Sequence, residues 1–463
     1  MIKFGTDGWR GVIADNFTFD NVRIVSQAIS DYLIRSSKKN KRVVVGYDRR
    51  FLSREFAQAA SCVLAANNIK VVLSKEAIPT PIVSFECLYK KYDLGIMITA
   101  SHNPAQFNGL KIKTKEGAAA DKSLTDKIEK LLYKQKPRLI SFEAAVKSRL
   151  VRIDDISGDY IAFLRNFVDI KKIRRLKLKI LMDNMYGVGD SFIERILGAS
   201  NIKVDYIHNE FNPSFGGIHP EPIEPNLQDT IKKMKQGIYN LGVVLDGDAD
   251  RIAVIDRNGV LIDAQILLPL LALHMVEDRK EKEGIAKTVV GSKLIDTVAL
   301  SLGVPCYETA VGFKYISQLF KEKLISIGGE EAGGIGFKGY IPERDGTASF
   351  LMILEMIACK KKSFDILLKD LWKKYGRWYY AKTSFPVSQM TRSLDSLRFP
   401  SRLLGRKVVR INKSDGIKLI ADNSWLMFRK SGTEPIVRVY SEAKSNKEAA
   451  SLLELGSKLV KRL

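Results

Sequence analysis

Short apolar runs recur along the chain, separated by amphipathic stretches. Val43–Val45, Val71–Leu73, Leu94–Ile98, Lys179–Met182 and Leu241–Leu245 are mostly apolar and bounded by polar residues. That pattern predicts strands buried on both faces. Asn21–Ser36, Ser53–Asn67 and Gly189–Leu197 instead space their apolar residues as one face of a helix. Alternation of the two predicts α/β layers with parallel or mixed sheets. The C-terminal part differs, with strands predicted at Lys407–Ile411, Trp425–Arg429 and Ile436–Ser441 and a helix from Ser445 onward. A charged stretch (Lys134–Ile153), a turn (Asp256–Gly259) and a basic stretch (Lys373–Arg377) mark boundaries. The expected units are therefore 1–150, 151–256, 257–373 and 374–463.

A length of 463 residues suits several domains, each with its own core. With 45% hydrophobic and 27% charged residues, the composition argues against disorder. Cys62, Cys87, Cys306 and Cys359 form no CxxC pair, so neither structural zinc nor a disulfide framework is expected. The longest uncharged apolar stretch, Ala264–Val276, is too short to span a bilayer and contains Pro269. Met1–Arg10 has no apolar h-region, so a cytoplasmic address and no membrane partner are expected. The net charge of +23 raises the question of nucleic acid. Its clusters (Lys38–Arg42, Lys171–Arg175, Lys360–Lys362) carry no interleaved aromatics. A lysine-rich surface with a basic cleft for a phosphorylated substrate fits better, and no nucleic-acid partner is expected.

Four polar loops carry the candidate chemistry. Leu94–Ile98 opens into Thr99-Ala-Ser-His-Asn-Pro104, which displays Ser101 at a strand end as a nucleophile or phosphate carrier. No Gly-x-Ser-x-Gly elbow surrounds it, which disfavours acyl transfer. Lys111 can approach a phosphate, or donate a proton if its pKa is lowered. In Asp246-Gly-Asp-Ala-Asp-Arg251 three carboxylates alternate between apolar strands, an arrangement best tolerated around a hard divalent cation. An EF-hand is excluded by Arg251 at its sixth position and Arg257 at its twelfth. Arg251 suggests a phosphate contact. Glu330 and Glu331, between glycines, can accept sugar hydroxyls. Arg429, Ser431, Gly432, Thr433 and Arg438 form a candidate phosphate nest.

Together these loops resemble the α-D-phosphohexomutase superfamily of phosphoglucomutases and phosphomannomutases. The motifs are Phe4–Gly11, Thr99–Pro104, Asp246–Arg251, Gly329–Gly333 and Arg429–Pro435, in family order over nearly the whole chain. The resemblance implies three related α/β domains with mixed sheets and a C-terminal α+β domain like the TATA-binding-protein fold, around a central cleft. It implies catalytic roles for Ser101, as phosphoserine, and for Arg10, His102, Lys111 and Arg251. Ser101, Asp246, Asp248 and Asp250 would bind one Mg²⁺. Gly329, Glu330, Glu331, Lys293, Lys314, Arg429, Ser431, Gly432, Thr433 and Arg438 would contact a hexose phosphate, with glucose 1,6-bisphosphate as activator. A monomer or homodimer is expected. Ala332 and Gly334 depart from the family's usual serine and histidine. The double glutamate favours glucose phosphate over mannose phosphate. A metal-dependent sugar phosphatase and a non-catalytic sugar-phosphate binder are the alternatives.

Overall fold

The computed structural model describes residues 2–35, 40–389, 393–431 and 435–462. The first sheet holds β1 (Trp9–Val12), β2 (Arg42–Tyr47), β3 (Lys70–Ser74), β4 (Leu94–Ile98), β5 (Phe107–Thr114) and β6 (Val151–Asp154), in the order β1-β5-β4-β2-β3-β6. The second holds β7 (Lys179–Asp183), β8 (Lys203–Ile207), β9 (Leu241–Leu245), β10 (Ile252–Ile255) and β11 (Leu261–Ile262), ordered β11-β10-β9-β7-β8. The third holds β12 (Gly284–Thr288), β13 (Cys306–Thr309), β14 (Ile325–Gly329) and β15 (Ile335–Phe337), ordered β13-β12-β14-β15.

One motif underlies all three sheets. Two strands joined by helical crossovers lead to a third parallel strand, and the chain then turns back antiparallel: β3-β2-β4-β5, β8-β7-β9-β10 and β13-β12-β14-β15. The serine loop joins β4 to β5, the aspartate loop β9 to β10, and the glutamate loop β14 to β15. The three loops are thus topological equivalents, each at the C-terminal end of a central strand, where α/β sheets place their ligands. The anchoring strands β4, β9 and β14 are buried at every position.

The C-terminal unit contains β16 (Tyr379–Pro386), the hairpin β17 (Arg402–Leu403) and β18 (Arg406–Lys407), then β19 (Arg410–Asn412), β20 (Ile417–Ala421), β21 (Ser424–Lys430) and β22 (Ile436–Ala443). Its antiparallel sheet runs β16-β22-β21-β20-β19, with the helix Asn446–Val460 packed on one face. The other face presents Trp425, Met427 and Tyr440 to Val289 and Val290 of the third unit. By contrast, a single apolar core runs through the first three units, from Met97 through Met182 and Leu245 to Leu354. The C-terminal unit is therefore joined mainly through a small apolar patch and polar contacts.

Several sequence expectations need correction. Val151–Asp154 begins no second unit, because it pairs with β3 in the first sheet. The second sheet continues past 256, since Leu261–Ile262 pairs with β10. The helix Phe364–Tyr375 carries the third unit beyond 373, packing Phe364, Leu367, Leu368 and Leu371 into the common core. Lys407–Ile411 is not one strand but the end of β18 and the start of β19. Among the described residues, no helix is long and apolar enough to cross a membrane.

Asp345 shows how the second and third units are tied. It caps the helix Gly346–Lys360 by accepting from Ala348 N at 2.9 Å. Its other oxygen accepts from Tyr340 at 2.7 Å and from Tyr160 of the second unit at 2.9 Å. Burial outweighs these donors and pushes the carboxyl up to about 6. A folded pKa above the unfolded value gives stability that is complete below pH 3.8 and lost as pH rises through about 6. Asp345→Asn keeps an acceptor but cannot titrate. Between about pH 4 and pH 7, wild-type unfolding free energy should fall relative to this variant by up to about 3 kcal/mol, as read by denaturant titration.

Candidate active site

Ser101 sits where β4 ends, buried, with φ of +52°. Left-handed backbone is costly for a residue with a Cβ, so the surroundings must impose it. Thr99 Oγ1 accepts from Ser101 N at 2.9 Å. Buried Arg50 then gathers the loop carbonyls: Ser101 O and Asn103 O at 2.6 Å, Pro104 O at 2.9 Å and Phe107 O at 3.0 Å. One guanidinium thus satisfies carbonyls that a tight polar loop would otherwise bury unpaired. Asp48 lies 3.2 Å from Arg50 Nε.

The aspartate loop meets this serine. Ser101 Oγ donates to Asp246 Oδ2 at 2.9 Å. Asp246, Asp248 and Asp250 are all fully buried, and an oxygen from each lies within 4.8 Å of the others. Burial, with repulsion from Asp250 and Asp248, raises the Asp246 pKa well above the ordinary range. Lys111 Nζ bridges Asp248 Oδ2 at 2.8 Å and Asp250 Oδ2 at 2.9 Å. Thr80 donates to Asp248 Oδ2 at 2.5 Å. The opposite oxygens, Asp248 Oδ1 and Asp250 Oδ1, are buried without a hydrogen-bond partner. Orphaned carboxylate oxygens are expensive unless a cation claims them. The donor set, hard and anionic, fits a divalent metal.

Cations close the site. Arg10 donates to Asn103 Oδ1 of the serine loop. Arg251 lies 3.9 Å from both Glu221 and Asp250, and its backbone N donates to Asp246 Oδ1 at 3.1 Å. His102 Nδ1 is 3.4 Å from Ser101 Oγ. Burial, with Arg251, Arg10, Lys111 and Arg344 nearby, holds the His102 pKa well below its usual value, so the ring is neutral at neutral pH. Lys111 behaves oppositely. Burial lowers its pKa, but Asp248, Asp250 and Asp7 outweigh that and raise it. The expectation that Lys111 donates a proton through a lowered pKa is therefore corrected: it is a fixed cation.

The glutamate loop joins through Arg344, which the sequence reading missed. Arg344 reaches Asp7 at 2.6 Å, Asp250 at 3.0 Å and Glu330 at 3.1 Å, linking three units. A Cβ on Gly334 would meet Arg344 Cδ at 2.4 Å, so this side chain fills the space beside the glycine. The second oxygen of Glu330 accepts from Gly312 N at 2.9 Å. Gly333 O accepts from Ile252 N at 3.0 Å, stitching the glutamate loop to the strand after the aspartates. Gly329 is held in β14, and Glu331 and Ala332 are partly exposed beside it.

The remaining candidates form a second group. Arg429 and Arg438 face each other across β21 and β22, and Ser431 N donates to Ile436 O at 2.9 Å. Arg429 Nε donates to Asp415 at 2.8 Å. Gly432 and Thr433 lie outside the described residues. Lys293 is exposed at the start of a helix, its backbone N held by Glu442 at 2.8 Å. Lys314 Nζ lies 5.2 Å from the Tyr315 ring centre. Asp7 lay within the opening motif and was passed over. Arg50, Thr80, Arg344 and Asp415 lie in no metal or phosphate pattern, since each works through a partner distant in sequence.

Four profiles of one family cover successive parts of the chain. They are the phosphoglucomutase/phosphomannomutase α/β/α domains I (residues 1–138), II (158–259) and III (263–375) and the C-terminal domain (389–455). The chain belongs to the phosphoglucomutase/phosphomannomutase family. It is a phosphohexomutase, a phosphotransferase enzyme. The phosphoglucomutase/phosphomannomutase of Thermococcus kodakarensis is 31% identical over 99% of this chain and 98% of that one. Human phosphoglucomutase-1 is 29% identical over 88% of this chain and 83% of its own. A Thermus thermophilus crystal structure, described as a candidate phosphomannomutase, superposes with a TM-score of 0.88 at 33% identity, covering 99% of both chains. Four domains of this family thus correspond to the four larger sheets.

The aspartate cluster makes a direct prediction. Mn²⁺, used as a paramagnetic probe, should bind the wild-type protein, and Asp248→Asn should weaken that binding by at least about tenfold in electron paramagnetic resonance titrations.

Proposed function

We propose that this phosphohexomutase interconverts hexose 1-phosphate and hexose 6-phosphate, with glucose preferred, through phosphoserine at Ser101. The observation that carries the reading is Ser101 Oγ, held 2.9 Å from Asp246 of a buried aspartate cluster, with Arg10 against the serine loop and Lys111 and Arg251 against the aspartates. A magnesium ion, one per chain, held by Asp246, Asp248, Asp250 and a serine oxygen, supplies charge neutralisation at the phosphoryl group when bound.

The chain's own residues do the rest. In the first transfer the Ser101 Oγ–phosphorus bond breaks as a bond forms to the free hydroxyl of the hexose monophosphate. Arg10 and Arg251 stabilise the equatorial oxygens, as expected for phosphoryl transfer. Lys111, permanently charged, orients Asp248 and Asp250 and offsets their charge. The proton that the hydroxyl loses ends on the departing Ser101 oxygen, and neutral His102, 3.4 Å from Ser101 Oγ, is placed to pass it on. The resulting hexose 1,6-bisphosphate turns over in the cleft and returns its other phosphate to Ser101. Free glucose 1,6-bisphosphate would prime the serine and so act as activator. Arg429, Ser431 and Arg438, with the 432–433 segment, clamp the phosphate that is not reacting. Glu330 and Glu331 read the sugar hydroxyls.

The paired glutamates support glucose. The relatives' names span several sugars, since a 29% identical protein of Sulfurisphaera tokodaii is a phosphoglucosamine/phosphogalactosamine mutase. Mannose phosphate is accordingly the second reading, because the chain also resembles phosphomannomutases. Steady-state assays with glucose, mannose and glucosamine 1-phosphates, Mg²⁺ and a trace of the matching bisphosphate test this. Glucose 1-phosphate should give the largest kcat/KM, and Ser101→Ala should lose at least about a thousandfold. Release of inorganic phosphate in place of isomer would contradict the mutase reading and favour a phosphatase. A larger kcat/KM for mannose 1-phosphate would overturn only the sugar assignment.

A further inference from the structure

Asp415 lies in the turn between β19 and β20, outside every loop given a role above. A single oxygen, Oδ2, accepts two hydrogen bonds, one of which crosses between units. One comes from Arg429 Nε at 2.8 Å, within the C-terminal sheet, and the other from Val311 N of the third unit, also at 2.8 Å. The next residue along, Gly312, donates its backbone N to Glu330 at 2.9 Å. Two adjacent amides of one loop are thus held from opposite sides, by Asp415 and by Glu330. Glu330 in turn is paired with Arg344, which reaches Asp250.

The turn is built to press Asp415 into this place. Gly416 has φ of +101°, and a Cβ there would lie 2.3 Å from Phe428 O and 3.1 Å from Arg429 Cα. Only glycine lets the turn approach the strand that carries Arg429 so closely. Asn412 and Lys418, flanking the turn, both reach Glu308, at 2.8 Å and 3.1 Å, so the hairpin as a whole is fastened to β13. Asp415 differs from these two because it also engages the arginine of the phosphate nest. A carboxylate between a guanidinium and an amide makes charge-assisted bonds, the strong kind.

We propose that Asp415 is a positioning residue that sets Arg429 against the Val311–Gly312 loop, and so fixes the distal phosphate clamp relative to Glu330. The inference rests on the reading of Arg429 as part of that clamp. It does not require Asp415 to touch substrate. A clamp that holds the non-reacting phosphate equally in ground and transition states acts on KM more than on kcat, and that split is the effect the proposal expects.

The test is a double-mutant cycle read by steady-state kinetics on glucose 1-phosphate, with thermal unfolding recorded for each protein. Asp415→Asn keeps the side chain's shape and removes its charge. In the wild-type background it should raise KM by about tenfold, the size of one charge-assisted hydrogen bond, with kcat within about twofold and an unchanged melting temperature. In an Arg429→Ala background the same substitution should change KM by less than about twofold. If Asp415→Asn raises KM equally in both backgrounds, or leaves KM unchanged in the first, the positioning role is overturned while the clamp reading stands. If Arg429→Ala alone leaves KM unchanged, the clamp reading fails and this proposal fails with it.

Discussion

Burying three carboxylates in one loop is the constraint on which the rest of this molecule depends. Asp246, Asp248 and Asp250 are cut off from water, and their repulsion is large at low dielectric. The loop's own Arg251 supplies only part of the compensation. The rest arrives as Lys111 and Thr80 from the first unit and Arg344 from the third. The cluster is compensated only when the first and third units are assembled against the second. The common apolar core that joins them therefore has an electrostatic purpose as well as a hydrophobic one. Even so, two carboxylate oxygens accept no hydrogen bond, and those are the oxygens that a metal can claim.

Repetition makes the assembly possible. The same four-strand motif, used three times, puts a polar loop at the same turn of each sheet. One turn carries Ser101, the next carries three aspartates, and the last carries a glutamate. The C-terminal unit follows a different plan, an antiparallel sheet with one helix face, and touches the others through Val289, Val290 and the polar contacts of Asp415, Lys418 and Glu442. The clamp proposed for a substrate that binds in two orientations would be better placed on such a lightly attached unit than within the common core.

Much of this was legible in the residues. The buried strands Leu94–Ile98 and Leu241–Leu245 announced themselves as apolar runs, and the loops after them held Ser101 and the aspartates. Edge strands were harder. Val151–Asp154 is short and largely exposed, so its membership of the first sheet depends on pairing with Lys70–Ser74, which no local pattern displays. Lys111 misled for a related reason. Its neighbours in sequence do not set its pKa, whereas Asp248 and Asp250, more than a hundred residues away, do. Arg50 and Arg344 lie among charged neighbours in sequence, but the partners that matter, the serine-loop carbonyls for one and Asp7, Asp250 and Glu330 for the other, meet them only after folding.

On the proposed function, the buried acids serve a phosphate carried on Ser101. Peptide mapping by mass spectrometry, after incubation with glucose 1,6-bisphosphate and Mg²⁺, tests it most directly. The account predicts one phosphate, on the peptide holding Ser101, that is lost to the sugar when glucose 1-phosphate is added. Phosphate on another residue, or a Ser101 phosphate that the sugar does not remove, would contradict it.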